Sequence, residues 1–230
     1  MSRAAFMTRV RDAAAAGRAY RVHVPGNLPA RVGYQGAGHD PVARLAAEVT
    51  AVGGQAHVVE NLDAARAKLA ELLDALAPRS ALCWRHPLLD RLDLRGLLSA
   101  CGAKRLDHEA LSPLSTPEAR AAMIEADVGI TSASYAIAET GTLVVEAAAG
   151  QERLASLLPP VHIAVIERAQ ILADLYDLFA RLEDDGTGPA PSWLPSNLAM
   201  ITGPSKTGDI ELTLTTGVHG PGVWHVIVIR

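Results

Sequence analysis

The sequence predicts an α/β protein built on a largely parallel sheet. Two observations carry that expectation: short apolar runs alternate with amphipathic helical segments from about residue 41 onward, and the chain closes on the apolar run 223–229. The 230 residues, 49% of them hydrophobic, are enough for one large core with a small appendage. We divide the chain into an N-terminal helix and arm, residues 1–39, and a main domain, residues 40–230.

Residues 1–16 are an alanine-rich helical pattern that stops at Gly17, and residues 18–38 are rich in glycine, proline and polar side chains, with Val22-His23-Val24 the strand-like fragment among them. Asp40-Pro41 opens a helix with a capping side chain followed by proline at the first helical position, and Gly53-Gly54 closes it. Leu45, Val49 and Val52 form its apolar stripe. A strand at 57–59, a helix at 63–76, a strand at 81–84, a helix at 88–100 and a short strand at 103–106 come next. Thr116-Pro117-Glu118 starts another helix, to residue 125. Strands at 128–130 and 142–145 flank a turn or short helix bearing Thr131, Ser132, Ser134, Tyr135, Glu139 and Thr140. After a strand at 161–166 comes a helix at 171–182 with Leu172, Leu175, Leu178 and Phe179 facing inward, then a polar loop at 183–196 that reads as a lid or a connector.

Lysine and arginine total 21 against 25 acidic residues, a net charge of −4, and no basic cluster is interleaved with aromatics, which argues against a nucleic-acid partner. No stretch approaches the roughly 20 apolar residues that span a bilayer, and residues 1–16 lack the apolar core of a secretory signal, so a cytoplasmic protein is expected. Cys83 and Cys101 are too few for an iron–sulfur or structural zinc site, and no two histidines have the helical spacing of a zinc pair. No metal site is expected. The G-x-G-x-x-G dinucleotide fingerprint is missing after any strand, and no cofactor is evident in this chain.

Polar chemistry concentrates in residues 202–221, T-G-P-S-K-T-G-D-I-E-L-T-L-T-T-G-V-H-G-P, set between the apolar stretches 198–201 and 223–229. Gly203 and Pro204 followed by Ser205, Lys206 and Thr207 place amide, hydroxyl and ammonium donors together, as an anion cradle would. The same residues also suit an ordinary pair of turns. It is not a Walker A loop, since Ser205 rather than glycine precedes Lys206.

Four ordered blocks, A-E-T-G-T-L (138–143), R-L-A-S-L-L-P-P-V-H-I (153–163), G-P-S-K-T-G-D-I-E (203–211) and G-V-H-G-P (217–221), together resemble the LUD-domain family over residues 40–230. The resemblance implies a three-layer α/β/α sandwich like that of ribose-phosphate isomerases and CoA transferases. It also implies a part in oxidising L-lactate to pyruvate alongside iron–sulfur partner subunits, which would carry the clusters that this cysteine-poor chain does not. The motif positions carried over are Glu139, Thr140, Gly141, Thr142, Arg153, Gly203, Pro204, Ser205, Lys206, Thr207, Asp209, Glu211, His219 and Gly220. Gly208 stands where relatives often have alanine.

If these segments meet at one rim of the sheet, Lys206, Arg153 and the amides after Gly203 supply positive potential for a small anionic ligand, with Thr140, Gly141, Thr142, Ser205 and Thr207 as further contacts. Oxidation of an α-hydroxy acid needs a base at the carbinol, for which Glu139, Asp209, Glu211 and His219 are candidates of the right type. Each also has an ordinary reading: a solvated charge for Glu139, a helix-start charge for Asp209, a turn residue for His219. Two other functions stay open, an independent sugar-phosphate isomerase or CoA/acyl transferase using Glu139, and a non-catalytic assembly module.

Overall fold

The computed structural model describes residues 2–18, 36–184, 195, 197–208 and 214–230. The strand-like fragment expected at 22–24, most of the loop expected at 183–196, and Asp209 and Glu211 lie outside the described residues. The chain divides into two units, residues 1–34 and 35–230. The first contains the helix α1 (Arg3–Arg18). The second carries the strands and the remaining helices.

Helix α2 (Pro41–Ala51) starts as its sequence demands: the Asp40 carboxylate accepts from the amides of Val42 and Ala43, and Pro41 occupies the first turn. Val42, Leu45 and Val49 form the buried stripe, whereas Val52 is the half-buried cap residue at the end of the helix. Then come β1 (Gln55–Val59), α3 (Leu62–Leu76), β2 (Ser80–Cys83), α4 (Pro87–Arg91), α5 (Leu94–Ala100), β3 (Lys104–Leu106), α6 (His108–Leu111) and α7 (Thr116–Ile124). The second half supplies β4 (Val128–Thr131), β5 (Tyr135–Ile137), β6 (Thr142–Glu146), β7 (Val161–Glu167), β8 (Ile171–Leu172), α8 (Leu175–Asp184), β9 (Leu198–Ile201), β10 (Lys206–Gly208), β11 (Leu214–Thr216) and β12 (Val223–Ile229).

Six strands make the central sheet in the order β1-β12-β7-β4-β2-β3, every pair parallel. The fold is α/β with a parallel central sheet, as the sequence predicts. Both faces of its middle strands are buried, and side chains alternate between them. Ile163, Val165, Ile227 and Ile229 join the core that includes α3, α4 and α5, while Ala164, Ile166, Trp224, Val226 and Val228 join the core beneath α2.

The second face is not covered by helix alone. A four-stranded sheet, β8-β5-β6-β9, contributes Ala136 and Leu143 to the core beneath α2, and β10 pairs with β11 in a separate hairpin. The turn or short helix expected between the strands at 128 and 142 is therefore partly strand. β5 pairs antiparallel with β6, and the Ser134 amide donates to the Val144 carbonyl. Two further boundaries differ. The helix expected at 88–100 breaks into α4 and α5 because Asp93 takes left-handed backbone (φ 52°) and its carboxylate caps the Gly96 amide. The helix expected at 171–182 begins later: residues 171–172 pair with β5 as β8, and Asp174 accepts from the Asp177 amide at 3.0 Å. Leu178 is fully buried, while Leu175 and Phe179, expected inward, are exposed.

Candidate functional site

Helix α2 runs antiparallel to the strands. Its first turn stands at the carboxyl edge of the sheet, where Arg230, directly after β12, bonds Asp40 at 3.1 Å, and its last turn leads through Gly53 and Gly54 into the amino end of β1. Two motif segments fold onto this helix. The turn between β5 and β6 presses Gly141 (φ 63°) against it, so close that a Cβ there would stand 2.6 Å from the Val49 nitrogen. Gly203 (φ 90°) approaches the Val52 carbonyl, where a Cβ would lie 2.8 Å from the oxygen. Glycine is required at both places, since left-handed backbone and close approach coincide.

A line of hydroxyls joins the two segments. Thr140 Oγ1 lies 2.7 Å from Thr142 Oγ1, which lies 2.8 Å from Thr202 Oγ1. Thr142 is buried, Thr140 half-buried and Thr202 exposed, so the line runs from the hairpin turn to the surface. Beside it, Lys206 Nζ donates to the Val52 carbonyl at 2.6 Å. That ammonium neutralises the negative end of the α2 dipole. The Ser205 amide donates to the Pro221 carbonyl at 2.8 Å and its carbonyl accepts from the Gly217 amide at 2.9 Å, which ties the Gly203 segment to the turn carrying His219. Thr207 belongs to β10, and His219 is exposed.

Glu139 sits nearer the start of α2. Its backbone carbonyl accepts from Arg44 at 3.5 Å, its carboxylate accepts from the Gly36 amide at 3.4 Å, and Arg44 pairs with Glu48 at 2.9 Å. Arg153 opens a short 3-10 helix, residues 153–156, whose Ala155 carbonyl rests on Gly129 of β4. Arg153 is exposed, and among the described residues no hydrogen bond or ion pair links it to Lys206 or Glu139. Thr140, Gly141, Thr142, Gly203, Ser205 and Lys206 thus gather at the last turns of α2.

The gathering lies toward the amino edge of the sheet, not at the carboxyl strand ends where open α/β sheets bind ligands. Topology dictates it: residues 202–221 precede β12, and a segment leading into a parallel strand reaches it from the amino side. The Gly222 and Val223 amides, both donating to the Pro160 carbonyl ahead of β7, fix that position. Thr202 opens the polar stretch 202–221 but was not among the site residues named from the sequence, and Arg44 had no local signal.

Residues 42–229 match the family described as LUD domain. The chain belongs to the LUD domain family. Relatives include Lactate utilization protein C of Halalkalibacterium halodurans, 32% identical over 150 residues that cover 65% of this chain and 62% of that protein. The protein of the same name from Exiguobacterium sp. is 41% identical over 111 residues, 46% of each. The matches therefore span less than two thirds of these relatives. In fold, this LUD domain is similar to a duf162 family protein from Deinococcus radiodurans, with a TM-score of 0.54 and 22% identity over 83% of this chain and 96% of that one. Among the described residues of the LUD domain no group of three or more histidine, cysteine, aspartate or glutamate side chains is placed to hold a metal, and no described helix is long and apolar enough to cross a membrane.

Proposed function

We propose that this LUD domain protein serves in lactate utilisation, as the cluster-free member of a multi-subunit system that oxidises L-lactate to pyruvate. The two electrons removed from the carbinol carbon would pass to iron–sulfur clusters on partner subunits. The reading is supported by the names of relatives that share its family. The observation in the structure that supports a ligand role is the hydroxyl line Thr140, Thr142, Thr202 beside Lys206, which offers donors to a small carboxylate where two family motif blocks meet.

The experiment is a deletion strain grown on L-lactate, complemented with the wild-type chain or with Thr142→Val. Wild type restores growth and co-purifies with iron-containing partners; Thr142→Val assembles normally but restores growth poorly. Full growth of the uncomplemented deletion, with no second copy of the gene, rejects the function. A second reading, a non-catalytic assembly module, is favoured by the engagement of the Lys206 ammonium with the Val52 carbonyl. It is selected if titration calorimetry with L-lactate, pyruvate and phosphate gives no heat while the complex still forms.

A further inference from the structure

The face of the sheet beneath α2 holds two buried polar atoms with no protein hydrogen-bond partner among the described residues, Trp224 Nε1 and His162 Nδ1. Trp224 is 1% exposed and His162 0%. They are neighbours, because Trp224 of β12 and His162 of β7 are register partners on adjacent parallel strands and point to the same face. The orientation of the indole is set by its contacts. Its Cε3 and Cζ3 atoms are those nearest the position a Cβ would take on Gly54, which leads into β1 on the side of β12 away from β7. The nitrogen lies on the opposite long edge of the ring system, away from that contact.

The chemistry of the pair is narrow. An indole nitrogen only donates. Burial pushes His162 down to about 3, so the ring is neutral, with one nitrogen a donor and the other an acceptor. Its Nε2 is already 2.8 Å from Thr131 Oγ1. Buried polar groups in native interiors are satisfied by protein or by ordered water, and a water needs at least two polar partners. A charged ligand does not suit the place, since among the described residues burial alone, and no charged group, acts on His162, and both side chains are sealed from solvent.

We propose that one internal water molecule bridges these two atoms, accepting from Trp224 Nε1–H and donating to His162 Nδ1. The bridge fixes the His162 tautomer: Nε2 carries the proton and donates to Thr131 Oγ1. Thr131 is the last residue of β4, from which the chain leaves for β5 and β6. The water therefore helps to hold the strand end from which the hairpin carrying Thr140 and Thr142 is suspended. It also gives the histidine of the block R-L-A-S-L-L-P-P-V-H-I a positioning role, independent of the proposed function.

Nitrogen-15 NMR of the wild-type protein at pH 7 reads the tautomer without any substitution. The expected result is a neutral His162 protonated at Nε2 with Nδ1 a hydrogen-bonded acceptor, and protonation at Nδ1 overturns the proposal. A high-resolution crystal structure should show one water within hydrogen-bond distance of both nitrogens; a direct Trp224–His162 bond, or no density between them, overturns it. Trp224→Phe keeps an aromatic ring and removes the donor, and is expected to lose the ordered water and raise the unfolding equilibrium constant about tenfold. An unchanged equilibrium constant with the water retained also overturns it, and if that variant fails to fold the wild-type NMR result decides.

Discussion

Gly141 carries two constraints at once, left-handed backbone and contact with the main chain of α2, where a Cβ would stand 2.6 Å from both the Glu48 carbonyl carbon and the Val49 nitrogen. Backbone cannot yield as a flexible side chain does, so Gly141→Ala is expected to cost about 1–3 kcal/mol. Urea unfolding checks this: the midpoint should fall with the slope unchanged, and a wild-type midpoint would contradict the close packing. The two thiols differ in the same local way. Burial pushes the Cys83 thiol up to about 12, whereas Cys101 is half-buried. Because the thiolate is the reactive form, a thiol reagent at pH 8 should titrate Cys101 in the native protein and Cys83 only after denaturation. Two equally fast thiols would refute the burial of Cys83.

Two helix ends in this fold are held by single side chains, and each such contact has a measurable consequence. Asp93 separates α4 from α5, adopts φ 52° and caps the Gly96 amide at 3.1 Å. Asp93→Ala removes the cap and places alanine in left-handed backbone, for an expected loss of roughly 1–2 kcal/mol, while Asp93→Asn should lose much less. Equal losses in thermal or urea melts would show that the charge, rather than the cap, matters there. At the other end of the scale, Lys206 on the Val52 carbonyl should contribute about 0.3–1 kcal/mol through the last turn of α2. Lys206→Met would lose that amount at low salt and less at high salt. A salt-independent loss would mean that the ammonium is not acting on the helix end.

Acid stability is set by the assembled molecule, because the histidines that govern it are buried by strands distant in sequence. His57 Nε2 and His225 Nδ1 lie 3.1 Å apart across β1 and β12, with Lys68 and Glu71 of α3 acting on His57 and Lys68 on His225. Burial lowers His57, and lowers His225 to about 4 and His162 to about 3. Their unfolded values are near 6.5, so the unfolded chain binds more protons between these limits and stability rises with pH through that window. Stability should be level above pH 7 and decline from about 6.5 toward 4, by at most about 1.4 kcal/mol per pH unit for each histidine that titrates. Below about 4, Asp127, held low by Arg79, adds to the decline. His225→Asn should make the decline between pH 6 and 4 shallower in urea midpoints, and an unchanged slope would rule out His225 as a contributor.

The α/β class, the parallel sheet and the start of α2 were legible in the amino-acid sequence because they depend on local physics. Periodicity sets which face of a segment is buried, and Asp40-Pro41 fixes a helix start whatever surrounds it. The family blocks at 138–143 and 203–211 likewise marked Gly141 and Gly203 before any contact was known. The tertiary structure alone decided what those glycines touch, that residues 135–137 pair as a strand rather than turn, and that the Gly203 block gathers with Thr140 and Thr142 at α2. Those outcomes depend on partners far apart in the chain, such as Thr142 with Thr202 and Lys206 with Val52, and no local pattern encodes a distance across the fold.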